Sequence, residues 1–316
     1  MPRRLAAIAT LAAALLLAAC GTDGERASTD AAADGRPTVV VTYAILGAVV
    51  SDVVGDAAKV EVLIPNGTDP HEWSPSAQDA ERVRDADLVV ANGLGLEESL
   101  ADVLAEAEAD GVPVFRAGDH VEVRAVVDGE TGGSGEDADH AEEHAPGADD
   151  PHIWTSPRTL AAAVEALGPA LAQATGLDVT AGTARETAAL AALDAEVEAI
   201  LAPVPAAQRR LVTGHESLGY FADRYGFELV GAVIPSLSSQ AEASAKDLTA
   251  LAQQIRAAGV RTVFTELGTS SQVADVIAEE TGARVVELPT HALPDAGGYA
   301  AYMRALATRV RDGLLS

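Results

Sequence analysis

Seven histidines and one cysteine set the chemistry open to this chain. With Cys20 alone, neither an intrachain disulfide nor a thiolate metal site can form. Imidazole remains, a ligand suited to zinc, copper and nickel. Two of the histidines stand in nearly the same phrase, "DPHEWSP" at 69–75 and "DPHIWTSP" at 150–157. The only two tryptophans, Trp73 and Trp154, each follow one of these histidines by two residues. Asp-Pro and Ser-Pro initiate turns wherever they occur, so one copy says little. Two copies place His71 and His152 in matched turns.

The elements that must carry these turns alternate. "TVVVTYAIL" (38–46), bounded by Pro37, reads as a buried strand, and "LGAVVSDVVGD" after it as a helix. "AKVEVLI" (58–64) is a second strand, followed by the loop that holds His71. "AQDAERVRDA" is a short helix, "DLVVAN" (87–92) a strand, "LEESLADVLAEAEAD" (96–110) an amphipathic helix and "VPVFRA" a strand. From Ser156 the chain is helical. Thr183 to Ala202 has neither Gly nor Pro and carries Leu190, Leu193, Val197, Ile200 and Leu201 at helical spacing. After "PVP" at 203–205, βα alternation resumes with the strands "RLVT", "FELVGAVI", "VRTVFTEL" and "ARVVEL" and a last helix from about Gly298 to Leu314. Strands alternating with helices imply parallel sheets covered by helices. The expectation is an α/β protein of two lobes, each a parallel sheet flanked by helices, joined by one long rigid helix. Its segments are a lobe at 38–157, linking helices at 158–205 and a second lobe at 206–316.

In open parallel sheets, ligands bind beyond the carboxyl ends of the strands. His71 follows the strand ending at Ile64, His215 follows "RLVT" and His291 follows "RVVEL". His152 opens the helical link. A cleft between the lobes lets these four converge, whereas each histidine taken alone would pass for a loop residue.

The N-terminus speaks to location. Arg3 and Arg4 precede an apolar run from Leu5 to Ala19, too short to span a bilayer and closed by "LAAC". This is signal-peptide grammar, and the closing residues resemble a bacterial lipobox. It predicts cleavage after residue 19, lipidation of Cys20, a flexible tether over 20–37 and an extracytoplasmic protein anchored to the cell membrane by lipid. A net charge of −27 excludes nucleic acid and anionic membrane surfaces as partners. The stretch 128–150 holds nine acidic residues, five glycines, His140 and His144, and no Lys or Arg. It has nothing with which to build a core and reads as a loop inserted in the first lobe.

These pieces resemble a known family, the metal-binding solute-binding lipoproteins of zinc and manganese ABC transporters. The resemblance is carried by "VVVTYAILGAVVSDVVGD", "VEVLIPNGTDPHEWSPS", "DADLVVANGLGLE", "DPHIWTSP", "RRLVTGHESLGYFADRYGF", "VFTEL" and "ETGARVVEL", in order over most of 38–316. It implies two lobes bridged by a long helix, a single metal ion between them, a permease as partner and a monomer. It implies His71, His152 and His215 as ligands. His291, in "LPTHAL", stands where the family often has an aspartate, and Glu266 in "FTEL" and Glu216 beside His215 compete for the fourth position. The acidic stretch resembles the His- and acid-rich loop of zinc members, though it is poorer in histidine.

Four neutral imidazoles suit a tetrahedral zinc ion, while manganese prefers harder oxygen donors. Zn2+ is therefore the expected ion and Mn2+ the alternative. A zinc hydrolase would need three ligands, an open water position and a base. Glu72 and Glu216 are the candidates for that base if His291 does not bind. No HExxH helix, nucleophile elbow or phosphate-binding glycine loop is present. Metal storage or adhesion without transport is the third class of function.

Overall fold

The computed structural model describes residues 35–126 and 148–316. The signal run, Cys20, most of the tether and most of the acidic stretch with His140 and His144 lie outside the described residues.

Four parallel strands make the first sheet: β1 (Thr38–Tyr43), β2 (Lys59–Ile64), β3 (Leu88–Ala91) and β4 (Val114–Arg116), in the order β2-β1-β3-β4. The strand period of two sorts its side chains cleanly. Val39, Val41 and Tyr43 of β1 join Leu88 and Val90 of β3 in the main apolar cluster. Val40 of β1, with Val89 and Ala91 of β3, faces a smaller cluster under helices α2 (Ala77–Arg84) and α3 (Ala101–Ala109). Strand β1 ends three residues before the end of the apolar run that suggested it. Helix α1 (Ala44–Val54) begins at Ala44 and buries Ile45, Leu46, Val49, Val50 and Val53 against the same cluster. Tertiary packing on a helical face decides what a short apolar run leaves ambiguous.

The second half departs from a single parallel sheet. Strand β5 (Arg210–Thr213) pairs with β6 (Glu228–Ala232), and β7 (Thr262–Thr265) pairs with β8 (Arg284–Glu287), both in parallel. β5 lies beside β7, but the two pairs form separate two-stranded sheets. These strands have only four or five residues each. A shift of register between Leu211 and Val212, where β6 carries the extra residue Val230, interrupts the β5–β6 ladder. Helices α6 (Gly219–Tyr225), α7 (Ala245–Ala258) and α8 (Ser271–Thr281) alternate with the strands.

Three helices tie the halves together: α4 (Pro157–Thr175), α5 (Thr180–Leu201) and α9 (Gly298–Leu315). α5 has 22 residues, a length of about 33 Å at 1.5 Å per residue. Its Leu190, Leu193, Val197 and Leu201 are buried, and it packs on α4, α9 and α1. Gly182 is required where α5 meets α1, because a Cβ there would stand 2.0 Å from the carbonyl oxygen of Val53. The main apolar cluster runs from Val39 of the first sheet through Leu167 and Leu193 to Leu211, Phe264 and Met303. One continuous core joins the two halves, so α5 is a packed beam and not a free linker.

Candidate metal centre

The repeated phrase has a local physical cause. In each copy the aspartate accepts the backbone N–H of the histidine two residues on: Asp69 Oδ1 from His71 and Asp150 Oδ1 from His152, both at 2.9 Å. This is an Asx-turn, with proline between the two fixing φ. Both aspartates are buried, so each turn stands on a carboxylate withdrawn from water. The second copy adds a ring contact, since Asp150 Oδ1 lies 2.8 Å from His152 Nδ1. The tryptophans diverge. Trp154 is buried, donates its indole N–H to the Thr290 carbonyl at 3.2 Å and turns its ring toward His152 and His291 at centroid distances of 5.2 and 5.9 Å. Trp73 is half-buried, packed on the main apolar cluster and on the smaller one under α2 and α3.

The other two histidines are held by distant residues. His215 lies two residues past β5, and Glu266 immediately follows β7. Glu266 Oε1 accepts the His215 backbone N–H at 2.9 Å and stands 2.8 Å from its Nδ1, a charge contact bent away from hydrogen-bond alignment. Ser217 Oγ donates to Glu266 Oε2 at 2.7 Å. His291, four residues past β8, has its Nδ1 3.2 Å from the hydroxyl of Tyr43, the last residue of β1.

With three of the four rings approached by a partner at Nδ1, the Nε2 edges converge. His152 Nε2 and His215 Nε2 are 3.1 Å apart. Neighbouring nitrogens of a tetrahedral zinc site are separated by about 3.4 Å, given Zn–N bonds of about 2.0–2.1 Å. His71, His152 and His215 offer ligand atoms within 4.8 Å of one another, as do His215, Glu266 and His291. His215 belongs to both groups, and its ring stacks near that of His291 at 17° and 5.9 Å. The Nε2 atoms of His71 and His291 are buried without a hydrogen-bond partner. Buried polar nitrogens are ordinarily paired, so an orphaned Nε2 in each of the two groups, which share His215, marks a space suited to a cation.

Electrostatics agree. Burial, helped by the neighbouring imidazoles, pushes the His71 pKa down to about 2. Burial likewise lowers His291 to about 4, against the pull of Asp69. Both rings are therefore neutral at physiological pH, the state a metal requires. Burial also opposes charge on His215, but Glu266 outweighs it and raises this pKa. Glu266 answers in kind: burial works to raise it, and His215 holds it well below the ordinary carboxylate range. Asp69, Asp150 and Glu266 thus place three buried carboxylates behind the imidazoles, a field that favours a divalent cation.

All four sequence-predicted histidines come together here. Of the competitors, Glu266 is in place but spends both oxygens on His215 and Ser217. Glu216 belongs to neither group and lines a cavity of about 10 Å³ with Arg124 and Thr213. Glu72 is exposed and in neither group. Asp69, Asp150 and Tyr43 escaped the sequence reading as site residues. The two aspartates were visible in the repeat itself; Tyr43 carried no signal, because its partner lies 248 positions away.

The family model for zinc-uptake complex component A, periplasmic, matches residues 39–313. The zinc-binding protein TroA of Treponema pallidum is 30% identical over 276 residues, 86% of this chain and 84% of that one. The zinc-binding lipoprotein AdcA of Streptococcus pneumoniae is 30% identical over 275 residues, and there the chain spans 52% of its relative's length. The solved structure of periplasmic zinc-binding TroA superposes with a TM-score of 0.72 at 25% identity, covering 89% of this chain and 99% of TroA.

Proposed function

The chain belongs to the family of periplasmic zinc-uptake complex component A, and from that premise we propose that it is an extracytoplasmic solute-binding lipoprotein carrying one zinc ion to the permease of an ABC-type importer. One observation carries the reading: four buried or half-buried imidazoles from separate loops converge, two with orphaned Nε2 atoms, over three buried carboxylates. His71, His152, His215 and His291 are the ligands. Four imidazoles without a carboxylate donor suit zinc; manganese, which prefers oxygen, is the alternative cargo. Four protein donors fill a tetrahedron and leave no position for a reactive water, so the site stores and releases an ion and performs no reaction.

A lipid anchor at Cys20 is part of this proposal, supported by the lipobox-like "LAAC" and by analogy with the streptococcal lipoprotein relative; among the described residues no helix is long and apolar enough to cross a membrane. Nothing in the cluster needs a second copy of the chain, and the proposal is a monomer. A competition titration tests the reading: one tight equivalent of zinc is expected, with manganese far weaker. Manganese outcompeting zinc would sink it.

A further inference from the structure

We propose that Arg124 is a positioning residue for His152, acting through Asp150; the inference rests on the reading of the four-histidine cluster as a zinc site. A short antiparallel contact brings Arg124 and Asp150 together. Ala125 bridges Asp149, the Val126 N–H donates to the Ala148 carbonyl at 3.0 Å, and the Asp150 N–H donates to the Arg124 carbonyl at 2.8 Å. Asp150 is wholly buried. Its Oδ1 is occupied by the His152 backbone N–H and ring Nδ1. Its Oδ2 has no hydrogen bond and instead faces the Arg124 guanidinium, with Nη1 at 3.7 Å.

The arginine is itself fixed. Its side chain is 9% exposed, and its Nε donates to Asp223 on α6 at 2.8 Å. Its backbone N–H donates to the Tyr220 hydroxyl at 3.0 Å, and that hydroxyl donates to the Asp150 carbonyl at 3.1 Å. Gly219 closes the arrangement from the other side. A Cβ there would stand 2.2 Å from Asp150 Oδ2 and 2.7 Å from Arg124 Nη1. The backbone of α6 therefore lies directly on the ion pair and limits the room for water.

A carboxylate in such a place needs a counter-charge, and attraction across a few ångströms is strong where water is scarce. Asp150 has two oxygens and two tasks. One holds His152 as the Nδ1–H tautomer, leaving the Nε2 lone pair for the metal; the other answers Arg124. Without the guanidinium, Oδ2 loses its counter-charge and only the contacts of Oδ1 with His152 hold the carboxylate, so the orientation of the imidazole loosens. Partners of this outer kind are worth about 10- to 100-fold in metal affinity.

The test uses the full chain, with zinc affinity by competition and the His152 ring followed by 15N NMR in the metal-free state. Arg124→Ala is expected to lose about 10- to 100-fold in zinc affinity, chiefly through faster release, and to mix the His152 tautomers. Arg124→Lys, which keeps the charge, is expected to recover much of both. Asp223→Ala, which removes only the outer contact, should stay within a few-fold of wild type. Wild-type affinity with an unmixed His152 signal in Arg124→Ala overturns the proposal. So does a lower melting temperature without any change in affinity or ring signal, which marks a merely structural arginine. If Arg124→Ala does not fold, the same comparison is made with Arg124→Gln. Failure of wild type to bind zinc would defeat the parent reading instead, and the metal-free ring signal would still decide the role of Arg124.

Discussion

The first-half histidines and the second-half histidines reach the same point by different means. His71 and His152 are each carried by a turn whose supporting carboxylate lies two residues away. His215 depends on Glu266, 51 positions distant, and His291 on Tyr43, 248 positions distant. In the first pair the turn that presents each histidine is closed by a local hydrogen bond, and only the far oxygen of its carboxylate looks to distant groups, Ser239 for Asp69 and Arg124 for Asp150. The second pair is shaped by strand placement, and it acquires its geometry only when β5, β7, β8 and β1 are assembled. Local support is written in the sequence as a motif; distant support is written nowhere in particular.

Removing ligands gives the largest effects. Structural zinc sites are worth about 10–16 kcal/mol in total, so one ligand of four accounts for about 3 kcal/mol, on the order of 100-fold. His215, shared by both ligand groups, is expected to cost the most: His215→Ala should lose at least that factor in a zinc competition assay. His71→Ala and His152→Ala should each cost at least as much as His291→Ala. His291→Asp should recover much of what His291→Ala loses and move preference toward manganese, because a carboxylate is the harder donor. If neither substitution at 291 changes affinity, the distant half of the comparison contributes no ligand there.

The supports come next. Glu266 faces both the ring and the backbone of His215, whereas Asp69 holds His71 through the backbone alone and otherwise accepts from Ser239 at 2.6 Å. Glu266→Gln is expected to lower zinc affinity by about 10- to 100-fold. Asp69→Asn keeps an acceptor for the turn and should cost about 1 kcal/mol, read in the same assay. Equal losses at the two positions would erase the distinction between local and distant support.

Titration separates the histidines in another way. His71 and His291 have pKa values depressed to about 2 and about 4 from the usual 6.5. The unfolded chain therefore takes up protons that the native state refuses, and their contribution to stability falls as pH drops below 6.5. His215, with a raised pKa, opposes this: its contribution is complete below the unfolded value and is lost as pH rises through the folded one. Between pH 6.5 and 4 the two depressed histidines pull the urea midpoint of the metal-free chain down while Glu186, raised by burial to about 7, pulls it up, so a Glu186→Gln variant should show the steeper fall. Zinc loading should release protons from His215, whose pKa Glu266 raises against burial, measurable by calorimetry in buffers of different ionisation enthalpy. A release that falls when His71 or His291 is replaced by alanine would mean that those rings are not held neutral.

How much of this was legible follows the same division. The βα alternation, the long α5 and the placement of the four histidines in loops beyond strands and turns were readable, because strand and helix periods and turn chemistry are local properties. The end of β1 was misplaced because "TVVVTYAIL" is apolar throughout, and only packing against the core starts α1 at Ala44. The second half reads as one sheet in sequence but divides into two pairs, since ladder formation between β5 and β7 is a non-local matter of register. Glu266 was visible as an acidic residue at a strand end, and so as a rival ligand; its two contacts to His215, which give it a supporting role in the proposed site, were not visible.

Tyr43 gives the smallest effect and the finest test. It is the last inward-facing residue of β1, fully buried, and its ring lies 5.0 Å from Trp154 in edge contact. The hydroxyl, 3.2 Å from His291 Nδ1, is a direct hold of the first half on a second-half ring. Tyr43→Phe removes that oxygen and keeps the ring, so the packing against Trp154 survives. The loss should be that of one neutral hydrogen bond, about 1 kcal/mol or roughly fivefold in zinc affinity. The same substitution placed on His291→Asp should cost less, because a carboxylate in that loop has no Nδ1 for the hydroxyl to meet. A double-mutant cycle reads the difference as a coupling between positions 43 and 291. Strict additivity would show that the hydroxyl serves the core and not the ring, leaving His291 held by its own loop, as His71 and His152 are by theirs.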